Sequence, residues 1–196
     1  MDKLAIAYVT CDKYAHVWEE WYGAYLDLWD IDLPVYWCGE TMEAIDGDFT
    51  QLYYPQVEAH QWTSKLRRQI EQIKEDYIFV WLDDEIPQQY ISREFAGLYL
   101  FMLATDADSV RIMERGTKAN YNYVADVEGR PLYKLSANSR YRVSFSPNIY
   151  KKEFLLEILT RDESPWACEL RSTGMYKDRD IYAYHIDGWY KNANVQ

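Results

Sequence analysis

The sequence predicts an α/β fold: a mostly parallel central sheet flanked by helices, in a single domain over residues 1–196. Three observations carry this. Two continuous apolar runs, Leu4 to Val9 and Tyr77 to Leu82, have the signature of strands covered on both faces. Helical periodicities alternate with the strands through the first half, as in βαβ units. Polar clusters, Thr10-Cys11-Asp12 and Asp83-Asp84-Glu85, stand where each run stops, and ligands of such sheets bind beyond the carboxyl ends of the strands.

Taken in order, Leu4 to Val9 is the first strand. Trp18, Trp21, Tyr22, Tyr25 and Trp29 then share one helical face, and Leu33-Pro34 breaks the chain before a second strand, Val35 to Cys38. Residues 39–62 lack periodicity and carry Gly39, Gly47 and Pro55, so irregular structure is expected, with one strand near Gln51 to Tyr54. Thr63 or Ser64 can cap a helix that runs through Leu66, Ile70 and Ile73 to near Glu75. Tyr77 to Leu82 follows, and Pro87 closes the loop beyond its acidic end. Tyr90 to Thr105 has helical spacing, Ser109 to Met113 that of a strand. Tyr133 to Leu135, Tyr141 to Phe145 and Ile181 to Tyr184 are expected as strands, and Lys151 to Leu159 as a helix.

Of the 196 residues, 48% are hydrophobic and 27% charged, the balance of one globular unit with a substantial core. The net charge of −11 makes duplex nucleic acid a disfavoured partner. Cys11, Cys38 and Cys168 are odd in number and widely spaced, which fits a reducing compartment rather than a disulfide framework or zinc site. The apolar run at Leu4 is short for a signal-peptide core and no segment reaches membrane-spanning length, so a cytoplasmic location is expected. Aromatic residues make up 17%, with 19 Tyr and 8 Trp; such side chains suit sugar faces, although most are expected in the core and at its rim.

Three adjacent carboxylates at the end of a buried strand repel one another unless something positive lies among them. Hard oxygen ligands favour magnesium or manganese, which can bridge a diphosphate and stabilise charge on a departing nucleoside diphosphate. On an extended strand end Asp83 and Glu85 face one way and Asp84 the other. A solvated acidic turn is the simpler explanation for such a cluster taken alone. Near the C-terminus His185, Gly188 and Lys191 form HxxGxxK: a metal-ligating imidazole, a glycine that lets backbone amides approach a diphosphate, and a neutralising amine. This segment resembles the HxxGxxKPW element of retaining GT-A galactosyl- and glucosyltransferases related to glycogenin, without its Pro-Trp.

A broader resemblance is to a group of bacterial and phage glycosyltransferases of the surface-polysaccharide type. It rests on four blocks in family order: TCDKYAHVWEEWY (10–22), WTSKLRRQIEQIKEDYIFVWLDDEIP (62–87), SFSPNIYKKEFLLEIL (144–159) and ESPWACEL (163–170). Lys65, Glu85 and Tyr150 depart from the usual Arg, aromatic residue and Trp. The resemblance implies a GT-A-like fold and metal-assisted transfer of a sugar from a nucleotide-sugar donor to a saccharide or other hydroxyl acceptor. It implies that Thr10 and Asp12 meet the nucleoside, that Lys65 and Arg67 or Arg68 face the diphosphate, joined by Lys191 of the HxxGxxK segment, and that Asp83 and Asp84 bind the donor. Asp83, Glu85 and His185 would hold manganese or magnesium. Glu169 is the candidate general base of an inverting displacement and Trp166 the acceptor platform, with a helix-start carboxylate and a core Trp as their simpler explanations; the HxxGxxK segment points instead to retention, so both stereochemical outcomes stay open. Three other functions stay open: a non-catalytic nucleotide- or carbohydrate-binding protein, a phage enzyme that glycosylates DNA bases, and a metal-dependent phosphoesterase, which usually needs more metal ligands than three His allow. The second requires Lys65, Arg67, Arg68, Lys151 and Lys152 to line one groove.

Overall fold

The computed structural model describes residues 1, 3–113 and 121–193. The chain begins β1 (Leu4–Val9), a 3₁₀ turn (Asp12–Tyr14), α1 (Ala15–Leu28), β2 (Val35–Cys38) and β3 (Thr50–Gln51). A second 3₁₀ turn (Ala59–Gln61) leads into α2 (Trp62–Ile70), β4 (Tyr77–Leu82), β5 (Glu85–Pro87), α3 (Ser92–Thr105) and β6 (Ser109–Met113). Then come β7 (Tyr121–Val127), β8 (Arg130–Leu135), β9 (Asn148–Lys151), α4 (Lys152–Ile158), α5 (Pro165–Met175), β10 (Ile181–His185) and β11 (Tyr190–Asn192). Nine strands form one sheet in the order β3-β2-β1-β4-β9-β6-β10-β8-β7. β9 and β8 run against the other seven, so the sheet is mostly parallel, and β5 pairs with β11 in a separate antiparallel ribbon.

Period-2 alternation divides the core into two layers. Along β1, Leu4, Ile6 and Tyr8 face one side with α1 and α3, while Ala5, Ala7 and Val9 face the other with α2, α4 and α5. Both sides are buried, which is why the strand reads as an unbroken apolar run. The first layer takes up much of the aromatic surplus: Tyr8 and Trp21 lie 3.9 Å apart between ring centroids, Trp21 and Trp81 5.3 Å, Trp29 and Phe95 4.7 Å. These rings fill the core and are not available as sugar platforms.

Three expectations differ from the structure. Residues 141–145 form a turn and bends, and the strand comes later, as β9, wedged antiparallel between β4 and β6. Helix α2 starts at Trp62, so Thr63 is not its cap; its hydroxyl donates instead to the Arg161 and Glu163 carbonyls, tying α2 to the approach of α5. The short β3 lies at Thr50–Gln51, at the start of the expected segment. Ser164 caps α5 by accepting from the Ala167 N–H, with Pro165 in its first turn. Among the described residues no helix is long and apolar enough to cross a membrane.

Candidate active site

Parallel β2, β1 and β4 end side by side, so the segments after Cys38, Val9 and Leu82 meet at one rim of the sheet. Thr10 sits at its centre. Its hydroxyl donates to Asp83 Oδ2 at 2.7 Å and accepts from Trp18 Nε1 at 2.7 Å. The Cys11 N–H reaches the same Asp83 oxygen at 3.4 Å. Burial, reinforced by the Asp84 charge and opposed by the Thr10 hydrogen bond, raises Asp83 to about 7.

Beside this lies a buried ion pair. Lys65 Nζ is 2.9 Å from Glu40 Oε1 and 3.4 Å from the Thr10 carbonyl, while Glu40 Oε2 accepts from the Asp12 N–H at 3.1 Å. The Asp12 carboxylate turns outward to accept from the Thr41 and Met42 N–H groups at 3.2 Å each, and from the Thr41 hydroxyl. Desolvation raises the Asp12 acid, but these bonds together with the Lys65 charge outweigh it and hold the acid below its usual range. Thr10, Asp12, Lys65 and Asp83 are thus brought together as expected. Glu40, which unites them, was not picked out from sequence: it follows Gly39 in a stretch without periodicity. A Cβ at Gly39 would lie 2.8 Å from Trp37 Nε1, so only glycine lets the chain turn there without moving the indole.

Next to this rim opens a cavity of about 550 Å³. Asp84 and Glu85 line it, with Arg111 of β6, Arg140, Ser144 and Ser146 of the loop before β9, Trp166 and Glu169 of α5, and Tyr190 and Asn192 of β11. Glu169 Oε1 accepts from the Phe145 N–H at 2.6 Å and from the Ser144 hydroxyl at 2.9 Å. Burial raises the Glu169 acid, against those two bonds and the nearby Arg111 guanidinium. Glu85 is held well above the usual carboxylate range by burial and then by the Asp84 charge; its Oε2 accepts weakly from the Leu82 N–H at 3.4 Å. Trp166 is 68% exposed at the mouth, so it is no core residue.

Three expected site residues lie elsewhere. Arg67 pairs with Glu71 and donates to the Leu156 and Leu159 carbonyls, clasping α2 to the end of α4. Lys191 pairs with Glu20 of α1; strand alternation turns Tyr190 and Asn192 into the cavity and leaves Lys191 out of its lining. His185, at the end of β10, packs against the rings of Tyr121 and Tyr133, 4.9 and 5.2 Å between centroids, and does not line the cavity. Gly188 occupies a left-handed turn (φ 67°) between β10 and β11, so the HxxGxxK pattern marks a turn here. Among the described residues no three His, Cys, Asp or Glu side chains gather to hold a metal ion. Carboxylates alone fit a more modest role, because magnesium is commonly bound by one or two of them together with phosphate oxygens; half-buried Asp84 and its neighbour Glu85 meet that pattern. The basic residues do not share a groove: Lys65 is buried with Glu40, Arg67 and Arg68 border one depression, and Lys151 and Lys152 another.

The fold is similar to that of solved structures. S. aureus TarS 1-349 in complex with UDP-GlcNAc superimposes with a TM-score of 0.61 at 12% identity, over 96% of this chain and 57% of that one. The chain has a GT-A-like fold. UTP-bound UGPase from Acinetobacter baumannii gives 0.58 at 8% identity, over 94% and 86% of the two chains. CMP:2-keto-3-deoxy-manno-octonic acid synthetase complexed with CTP gives 0.53 at 12%, over 95% and 90%. The chain spans less than two thirds of the TarS chains, 36% of one and 57–59% of the others. No family model and no curated protein matches the sequence.

Proposed function

We propose that the chain is a glycosyltransferase that moves a sugar from a nucleotide-sugar donor to a hydroxyl acceptor. The supporting observation is that one cavity is lined both by the carboxylates ending β4 and by Glu169 and Trp166 of α5. The nucleoside would lie over the rim built by Thr10, Asp12, Glu40 and Lys65, whose side chains stiffen its floor. The acceptor sugar would stack on Trp166, whose indole offers a flat apolar face to solvent. Glu169 would serve as general base. Oε1 is committed to Ser144 and Phe145, and Oε2 has no protein donor among the described residues. A burial-raised carboxylate is a better base near neutral pH than an exposed one. The acceptor O–H proton passes to Oε2 as the acceptor oxygen bonds to the anomeric carbon and the bond to the nucleoside diphosphate breaks, which inverts the anomeric centre. A manganese or magnesium ion, held by Asp84 and Glu85 with diphosphate oxygens, would neutralise the departing diphosphate.

A thermal-shift screen of nucleoside diphosphates and nucleotide sugars, with and without manganese, tests this, since a ligand of the native state raises its melting temperature. Stabilisation by a nucleoside diphosphate is expected; no shift with any of them would overturn the proposal. Nucleotidyl transfer is a second reading, favoured by the near-complete coverage of the UGPase and synthetase chains. Pyrophosphate release from a nucleoside triphosphate and a sugar 1-phosphate would select it.

A further inference from the structure

We infer that Arg111 and Arg140 recognise an anionic group on the acceptor, so that the substrate is a hydroxyl compound bearing a phosphate or carboxylate. This rests on the glycosyltransferase reading and narrows it. Both guanidinium groups line the cavity that holds Glu169 and Trp166. Half of the ten described arginines are neutralised: Arg67, Arg93, Arg130, Arg171 and Arg179 each pair with a carboxylate. Arg111 and Arg140 make no such pair among the described residues. The only protein hydrogen bond of Arg111 there is from Nη1 to the Tyr141 carbonyl at 3.2 Å, and its Nε is buried without a partner. Tyr141 holds a left-handed backbone (φ 48°), uncommon for a residue with a side chain, in the position that presents this carbonyl.

Arg111 and Arg140 are the two cations of a lining that also carries Asp84, Glu85 and Glu169, so anion recognition would rest on the guanidinium groups themselves and not on the net charge of the cavity. The guanidinium fork matches phosphate and carboxylate oxygens two at a time. Their position favours the acceptor over the donor diphosphate. Arg111 stands on β6, two strands from β4 across β9, or roughly 10 Å at about 4.8 Å per strand. Arg140 belongs to the loop that also supplies Ser144, the hydroxyl bonded to Glu169. An anion gripped here would bring a hydroxyl a few atoms away to the base.

The test uses the whole chain saturated with UDP, so that the donor side is filled, and titrates glucose, glucose 6-phosphate and glucuronate by calorimetry. The two anionic sugars should bind at least about 10-fold more tightly than glucose, as lost charge-assisted hydrogen bonds would require. Arg140→Gln, at an exposed position that should fold normally, and Arg111→Gln should each erase most of that preference while leaving UDP affinity unchanged. Equal binding of all three sugars, no saturable binding of any, or a preference untouched by both variants would overturn the inference. So would a comparable loss of UDP affinity in the variants, which would assign the two arginines to the donor. If wild-type protein binds no nucleotide, the glycosyltransferase reading fails by itself, and the anion preference is measured in the same way without UDP.

Discussion

The rim over β1, β2 and β4 and the wall made by β6, the loop before β9 and α5 are both polar, yet they differ in how their polar groups are used. On the rim the side chains bind one another: Trp18 to Thr10, Thr10 to Asp83, Lys65 to Glu40. Asp12 is taken up by Thr41 and Met42. On the wall, among the described residues, Glu169 keeps one oxygen without a protein donor and Arg111 and Arg140 have no carboxylate partner, while Trp166 faces solvent. A rim satisfied within itself is a rigid platform that can present backbone and ring edges. A wall with spare valence is where new bonds to a ligand form.

The comparison is broken most severely by removing the proposed base. Glu169→Gln should lower the transfer rate by about 10²–10⁴-fold while leaving the nucleotide-induced thermal shift intact, measured as nucleoside diphosphate release with acceptor present. On the rim the cost should instead be stability. Lys65→Met leaves Glu40 buried without its partner and should destabilise the protein by about 3–5 kcal/mol, read by denaturant unfolding. The double variant Lys65→Met with Glu40→Leu should recover much of that loss, since replacing both charges removes the uncompensated one. Thr10→Val deletes the bridge between Trp18 and Asp83 and should cost about 1–3 kcal/mol.

Asp83 adds a pH dependence. Its folded value of about 7 lies above the ordinary 3.8, so the folded protein holds a proton that the unfolded chain has released. Its stabilising contribution is full below about pH 4 and is lost as pH rises towards 7. Ligand-free protein should therefore lose stability across that window, and Asp83→Asn should flatten the slope. The smallest expected effect is that of Trp166→Ala: stability should change by no more than about 0.5 kcal/mol, while the acceptor KM rises. A large loss of stability would make Trp166 part of the scaffold and erase the contrast between the two regions.

The same contrast explains what sequence alone could reach. The strands of the first half are apolar runs ending in polar clusters, and short-range pattern was enough to find β1, β2, β4 and the rim residues Thr10, Asp12 and Asp83. Lys65 was found too, but not the reason for its burial, because Glu40 lies 25 residues away and meets it only where α2 packs on the segment after β2, with Gln69 Nε2 donating to the Gly39 carbonyl. On the wall Glu169 and Trp166 were legible through Pro165 and the helix it starts. Arg111 and Arg140 were not, since an arginine in a strand or a loop carries no local mark of being unpaired. Arg67, Lys191 and His185 erred in the opposite direction. The family resemblance named Arg67 and the HxxGxxK spacing named Lys191 and His185, but α2 turns Arg67 onto the end of α4, β11 leaves Lys191 out of the cavity lining, and the rings of Tyr121 and Tyr133 pack against His185.

The antiparallel β9 strand has one more consequence. Its Asn148 is locked in register with Val80, three residues before Asp83. Asn148 Nδ2 and the Tyr150 hydroxyl both donate to the Ser144 carbonyl, at 3.2 and 2.6 Å, and Ser144 in turn donates to Glu169. Glu169 and the carboxylates are therefore gauged against a common ruler of backbone bonds. Their separation is a property of the sheet, and heating or ligand binding should move the two together until β4 and β9 part.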